Sequence, residues 1–241
     1  MRTGAVILAR MSSSRLPEKV FRKLDGVALI ERVVRRVRLI DAADQVVIAT
    51  SRDASDDVIA CYGRSAGIDV FRGSLDDVSR RVLDCARFWR WGWFARVNAD
   101  SPFLDPELIN TGLELAVRKN LDFVTNLAPR SYPYGVAVEV VRTEVYAAAY
   151  QRMRRDEDHE HVTPFLYSHI REYGYYNIER CMGDCSAMRL TVDDESDAVR
   201  CAALMRQLGD RSDVSSVEET IAAYNELWPA DAPAPLVAAI R

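Results

Sequence analysis

Short apolar runs alternate with longer amphipathic stretches through roughly the first half of the chain. GAVILA (Gly4 to Ala9) is continuously apolar and predicts a strand buried on both faces. LIERVVRRVRLI (Leu29 to Ile40) repeats apolar residues at i, i+3, i+4 and i+7, which predicts a helix. Its arginines are expected on a solvated face, opposite Ile30, Val33, Val34 and Val37. QVVIATS (Gln45 to Ser51) reads as the next strand, and DASDDVIACYGRSAG as a helix closing at Gly67. IDVFRG is a short strand that leaves at Gly73, and the following helix places Val78, Val82, Cys85, Ala86 and Trp89 on one face. WFARVNAD (Trp93 to Asp100) is a strand with a polar end. Asp105 and Pro106 open another helix as N-cap and first-turn proline, and LDFVTNL is one more strand.

After about Pro129 the rhythm changes. YPYGVAVEVV (Tyr132 to Val141) reads as a turn and a strand, 145–152 and 162–173 as helices, and YYNIE and MRLTVD as strands. DESDAVRCAALMRQLG and SVEETIAAYNELW close the chain as helices, and PADAPAPLV is expected to drape over the surface. Four β-α units in succession predict an α/β fold, a mostly parallel sheet with helices on both faces. The expected organisation is one domain, 1–241, with an inserted lobe at about 129–180. In such a sheet, ligands bind beyond the carboxyl ends of the strands.

Composition narrows the class. Hydrophobic residues make up 49% and charged residues 28%, as in globular domains that carry a proper core. A net charge of -4 argues against an extended nucleic-acid surface. The five cysteines form no disulfide framework and suit reduced thiols in the cytoplasm. No apolar run approaches membrane-spanning length. The aromatic run FWRWGWF could stack bases, but burial of Phe88, Trp89 and Trp93 at a helix–strand junction is the better reading.

The candidate chemistry starts in ILARMSSSRLPEKV (Ile7 to Val20), where a buried strand runs into Arg10, Ser12, Ser13, Ser14, Arg15 and Lys19. Three cations and three hydroxyls within ten residues suit a polyphosphate. The loop is not a P-loop, and no G-x-G-x-x-G occurs in the chain. Asp100, immediately after a strand, is placed to hold Mg²⁺, which takes one or two carboxylates plus phosphate oxygens. In TVDDESD, Asp194 reads as an N-cap with Asp197 at N3, leaving Asp193 without a structural task. Asp100 and Asp193, expected on different strands of one sheet, could meet at a metal. His159 and His161 lack the further ligands a transition-metal site needs; His161 better suits a polar contact to a substrate or partner chain.

ILARMSSSRLPEK, ATS, FRGSLDDVSRR, RVNADSPFLD, YPYGVAVEVV, HEHVTPF and RLTVDDESD occur in that order. Together they resemble the spore-coat polysaccharide cytidylyltransferase-like family, which is related to the 3-deoxy-manno-octulosonate cytidylyltransferases. The resemblance implies a Rossmann-like nucleotide-diphospho-sugar transferase fold, commonly dimeric, with the later lobe supplying contacts. It implies phosphate contacts at Arg10, Ser13, Ser14, Arg15 and Lys19, metal ligation by Asp100 and Asp193, and a base site near Leu8, Ala9, Gly73 and Ser74. The acceptor is implied near Arg96, Tyr134, Gly135, Glu139 and His161. Two positions depart from the pattern: Glu18 stands where the family usually has glycine, and Ala137 where an acid is common. An anionic side chain beside a polyphosphate is unfavourable unless it points outward or joins the metal shell.

The expected activity is Mg²⁺-dependent transfer of CMP from CTP to an anionic acceptor, with release of pyrophosphate and with Arg15, Lys19 and Asp100 as the catalytic groups. A metal-dependent glycosyltransferase of the same fold is the second reading. A non-catalytic nucleotide-binding protein, which Glu18 keeps open, is the third.

Overall fold

Ala5 and Ile7 face one layer of the core while Val6 between them faces another, so the first strand is covered on both sides. The structure, a computed structural model, describes residues 1–13 and 15–229; Ser14 and most of the PADAPAPLV tail lie outside the described residues. The strands are β1 (Arg2–Leu8), β2 (Lys23–Leu24), β3 (Val27–Ala28), β4 (Val46–Ser51), β5 (Asp69–Gly73), β6 (Trp91–Asn98), β7 (Phe123–Thr125), β8 (Glu139–Arg142) and β9 (Tyr175–Asn177). The helices are α1 (Leu29–Val37), α2 (Asp57–Ser65), α3 (Val78–Phe88), α4 (Pro106–Arg118), α5 (Thr143–Arg152), α6 (Asp156–His161), α7 (Pro164–Ser168), α8 (Glu195–Leu208) and α9 (Val217–Leu227).

Seven strands form one sheet in the order β5-β4-β1-β6-β8-β7-β9. β5, β4, β1 and β6 are parallel neighbours, β8 runs antiparallel to both β6 and β7, and β9 is parallel to β7. The mostly parallel α/β sheet expected from the sequence is therefore present. α1, α4, α8 and α9 bury apolar faces in one core layer, and α3, α5 and α7 in the other. The stretch 129–180 adds β8 and β9 to this sheet and carries α5 to α7. Because β8 is reversed, its first residue, Glu139, lands at the carboxyl end of the parallel strands.

Two helices start at the N-caps that the sequence predicts. Asp105 accepts from Glu107 N and Leu108 N, and Asp194 from Asp197 N. Ser216 and Glu219 form a capping box at α9.

Four expectations are corrected. Arg32 and Arg36 of α1 are buried rather than solvated, because both sit beside the apolar stripe and find partners there. Arg36 Nε donates to Leu104 O at 2.6 Å, and its Nη2 to Ser215 O at 2.5 Å. Phe88 is exposed; Trp91 is the ring that is buried instead, against Gly4, where a Cβ would lie 2.0 Å from its Cε2. The helix expected over 162–173 is broken into α7 and a 3-10 turn, since Pro164 starts α7 and Val162 has a positive φ of 69°. MRLTVD is no strand of the sheet: both edges of β6 are taken by β1 and β8, and the segment crosses the strand ends instead. An isolated bridge between Tyr134 and Arg189 and a bond from Val192 N to Asp100 O (2.9 Å) hold it there.

Candidate active site

β1 and β6 end together, and the loops leaving them line a cleft of about 350 Å³. Leu8, Ala9, Arg10, Ser13, Arg15 and Lys19 line it from the first loop, and Asp100 and Asp193 from opposite loops. Lys19 is the hub. Its Nζ lies 2.8 Å from Asp100 Oδ2 and 3.3 Å from Asp193 Oδ1, and also donates to Val192 O at 3.3 Å. Arg15 Nη2 reaches Asp193 Oδ1 at 2.9 Å, and Arg10 Nη2 reaches Glu160 Oε1 at 2.9 Å. The bond from Arg10 is the main cause holding the Glu160 carboxyl below its ordinary range.

The two carboxylates are brought together without a shared ladder. Asp100 O accepts from Val192 N and from Thr191 Oγ1 at 3.2 Å, which docks the Asp193 segment onto the Asp100 turn. The buried Asp197 accepts from Asp193 N at 3.0 Å and is itself held by Arg200 at 2.7 Å. Asp100 and Asp193 present hard oxygen donors that share the Lys19 ammonium, and Asp193 also meets Arg15 and, at 3.3 Å, Arg189 Nη2. Among the described residues no group of three or more His, Cys, Asp or Glu could hold a metal. Two carboxylates that rely on substrate phosphates for the remaining oxygens are a donor set that suits Mg²⁺.

The first loop is fixed from below by Asp56, which is fully buried. Its Oδ1 accepts from Met11 N at 2.7 Å and its Oδ2 from Ser51 N at 3.0 Å. Burial raises the pKa of this carboxyl, but the bonds from Ser51 and Met11 outweigh it, so the net shift is downward. A depressed folded-state pKa contributes stability above the unfolded value of about 4, and that contribution is lost as pH falls through the folded value. Asp56→Asn is expected to lower stability by about 1–3 kcal/mol at pH 7. The gap from wild type should close as pH drops below about 4. Denaturant unfolding at several pH values checks this.

A second pocket of about 170 Å³ adjoins the cleft through Arg96, Asn98, Asp100, Tyr134 and Asp193, and adds Arg130, Gly135, Ala137 and Glu139. The Tyr134 ring lies between two guanidinium groups, Arg130 at 4.9 Å and Arg189 at 4.8 Å. Gly135, at φ 105°, packs so closely that a Cβ would come within 2.7 Å of the Leu190 carbonyl carbon. Glu139 is buried, ion-paired to Arg96, and accepts from the Tyr167 hydroxyl at 2.9 Å. Burial, with Glu139 beside it, pushes the Tyr167 hydroxyl far up, so it stays a donor. His161 lines the main cleft at the end of α6, whereas His159 turns to Asp77 at 3.1 Å, so the two histidines do not share a site. Val162 (φ 69°, ψ -56°) is a strained γ-turn, with Thr163 N donating to His161 O at 2.8 Å.

Gly73 and Ser74 do not line the cleft. They lie behind Arg81, which does: a Cβ on Gly73 would come 2.7 Å from Arg81 Cγ, and Ser74 O accepts from Arg81 Nη1 at 3.0 Å. Sequence reasoning passed over Arg81, Asp56, Arg130 and Arg189. A signal did exist for Arg81, since it is three residues from Val78 and four from Cys85, inside the apolar stripe of its helix. A charged residue in that stripe needs a buried task. Nothing in the local pattern marks the other three.

A cation-rich first loop facing two convergent carboxylates at the ends of parallel strands defines a nucleotidyltransferase. The chain belongs to the cytidylyltransferase family, whose model matches residues 5–207. It is 32% identical to the spore coat polysaccharide biosynthesis protein SpsF of Bacillus subtilis, over 88% of this chain and 90% of that one. Among solved structures, a cytidylyltransferase from Leptospira borgpetersenii superposes with a TM-score of 0.89 at 23% identity, covering 94% of this chain and 95% of that one. A CMP:2-keto-3-deoxy-manno-octonic acid synthetase complexed with CTP superposes at 0.65 and 18% identity, covering 86% and 99%. No helix of the described residues is long and apolar enough to cross a membrane.

Glu18 has a conformational explanation. Its φ of 56° and ψ of 21° place it in the left-handed region, which favours glycine. The side chain is exposed and faces a shallow surface beside Phe21, Arg22 and Lys23, away from the cleft. Glu18→Gly is expected to raise stability by about 0.5–1 kcal/mol, the relief of strain less the added freedom of the unfolded chain. Pyrophosphate release should stay within assay error of wild type.

Proposed function

We propose that the protein moves CMP from CTP to an anionic small-molecule acceptor and releases pyrophosphate, with Mg²⁺ as cofactor. The carrying observation is the Lys19 ammonium held between Asp100 and Asp193 on the phosphate-sized first loop. An acceptor oxygen attacks the α-phosphorus, the new P–O bond forms, and the bond to the β-phosphate oxygen breaks. Arg15 and Lys19 exchange their carboxylate partners for phosphate oxygens and neutralise the charge gathering on pyrophosphate. Arg10 and Ser13 hold the remaining phosphate oxygens in line. Mg²⁺ held by Asp100 and Asp193 supplies further neutralisation of phosphate charge when bound.

The pocket beside Tyr134 supports an acceptor that is itself anionic. Arg96, Arg130 and Arg189 all border it or its tyrosine. An acceptor that attacks through an already ionised phosphate or phosphonate oxygen needs no general base, whereas a sugar-acid hydroxyl would have to lose its proton, which a bound Mg²⁺ would make more acidic. Screening carboxylate, phosphonate and phosphate acceptors with CTP, Mg²⁺ and a pyrophosphate readout tests the reading. Pyrophosphate should appear only with an anionic acceptor. Failure of every acceptor class, or cleavage of a nucleotide sugar to a free nucleoside diphosphate, overturns it.

A further inference from the structure

The pocket beside Tyr134 encloses about 170 Å³, and most of its polar lining is already engaged. Ser101 Oγ donates to Asp100 Oδ1 at 3.3 Å, and Thr191 Oγ1 to Asp100 O at 3.2 Å. Glu139 is paired with Arg96 and accepts from the Tyr167 hydroxyl, while Asp100 and Asp193 share Lys19. Gly135 and Ala137 bring no polar side chain to the wall. Arg130 and Asn98 are different: among the described residues neither side chain has a hydrogen-bond or ion-pair partner. Arg130 is half-buried, lies 4.9 Å from the centre of the Tyr134 ring, and lines this pocket but not the larger cleft. A polyhydroxylated acceptor would lose water here and find few partners for its hydroxyls. Pockets for drug-sized ligands run to about 300–1,000 Å³, so this one suits a compact group. No unpaired carboxylate faces it as a general base, and His161 lines the cleft instead.

We infer that the acceptor is a compact phosphonate or phosphate monoester, and that Arg130 selects it by binding its tetrahedral head in the pocket beside Tyr134. This rests on the nucleotidyl-transfer reading above and narrows its acceptor class. A guanidinium fork takes two oxygens of an anion side by side. A tetrahedral head has a third oxygen, which can turn toward the cleft through the opening that Arg96, Asn98 and Asp100 share. A carboxylate with both oxygens on the fork has none left to attack. The attacking oxygen is already ionised. Its lone pair forms the new P–O bond to the α-phosphorus, the bond to the β-phosphate oxygen breaks with its electrons leaving on pyrophosphate, and no proton moves. The product is a phosphorus anhydride, not a phosphodiester.

The test measures pyrophosphate release from CTP and Mg²⁺ with methylphosphonate, ethyl phosphate or 3-deoxy-manno-octulosonate as acceptor. Wild type should use at least one of the two phosphorus acceptors with a kcat/KM about tenfold or more above that of the sugar acid. Phosphorus NMR of the product should show two mutually coupled signals, the mark of a P–O–P link. The faster of the two phosphorus acceptors identifies phosphonate or phosphate ester as the source. Arg130→Gln should raise KM for that acceptor about tenfold to a hundredfold and leave KM for CTP unchanged. Ala137→Asp, which adds a carboxylate to the same wall, should act in the same direction by repulsion, and serves should the glutamine variant fail to fold. Thermal unfolding confirms that each variant is folded. Preference for the sugar acid, or a product without phosphorus coupling, overturns the acceptor assignment and leaves nucleotidyl transfer standing. An unchanged acceptor KM in the folded variants, or an equal rise in KM for CTP, overturns the role of Arg130. If no acceptor releases pyrophosphate, the transfer reading itself fails.

Discussion

Lys19→Met is expected to slow pyrophosphate release about a hundredfold or more, with the protein still folded. Methionine keeps most of the stem and removes only the charge. In the free protein that charge holds Asp100 and Asp193 at 2.8 and 3.3 Å. During transfer it meets the growing charge on the leaving group, an interaction stronger in the transition state than in the bound substrate, so kcat falls more than KM rises. Lys19 is 16% exposed, so the interaction is only weakly screened by water. Steady-state kinetics with a fold check by thermal unfolding decide it. Near wild-type turnover in a folded variant would remove Lys19 from the mechanism and the carrying observation with it.

Arg36→Met is expected to cost about 3 kcal/mol or more of stability, a drop of about 10 °C in Tm for a domain of this size. Arg36 is 0% exposed, and among the described residues no carboxylate is hydrogen-bonded to it. It bonds instead to Leu104 O, Ser212 O (3.1 Å) and Ser215 O. Removing it orphans three buried carbonyls, each worth about 1–3 kcal/mol unpaired, offset in part because a desolvated cation also disappears. The same bonds tie the turn that follows Asp100 to α1 and to the segment leading into α9. Activity at a temperature well below the new Tm should survive, since none of its hydrogen-bond partners among the described residues lines the cleft. A variant as stable as wild type in denaturant titration would show that those carbonyls find other donors.

How far the sequence could be read depended on the range of the physics. β1 and β4 were legible because a strand buried on both faces is almost continuously apolar, and β6 because its apolar run breaks only at Arg96 and its polar end. The caps at Asp105 and Asp194 were legible because a cap bonds to its own helix two or three residues away. Lys19 and Asp100 stood out because charge at the end of an apolar strand has no local use. Arg32 and Arg36 were misread for the complementary reason: their partners, at positions 104 and 212–215, are remote in sequence. The MRLTVD segment has the composition of a strand, but its pairing depended on whether a neighbour had an open edge.

By itself the amino-acid order determined the alternation of strands and helices and a cation-rich loop at a strand end, because each follows from contacts within one element; the parallel half of the sheet followed from that alternation, since a β-α-β crossover returns the chain to a parallel strand. Tertiary structure alone decided that Asp193 meets Asp100 through a chain crossing, that reversed β8 delivers Glu139 to Arg96, and that Arg81 stands in front of Gly73. Those meetings join residues tens of positions apart. Their geometry is set by which edges and faces remain open once the sheet has formed, and no local pattern encodes that.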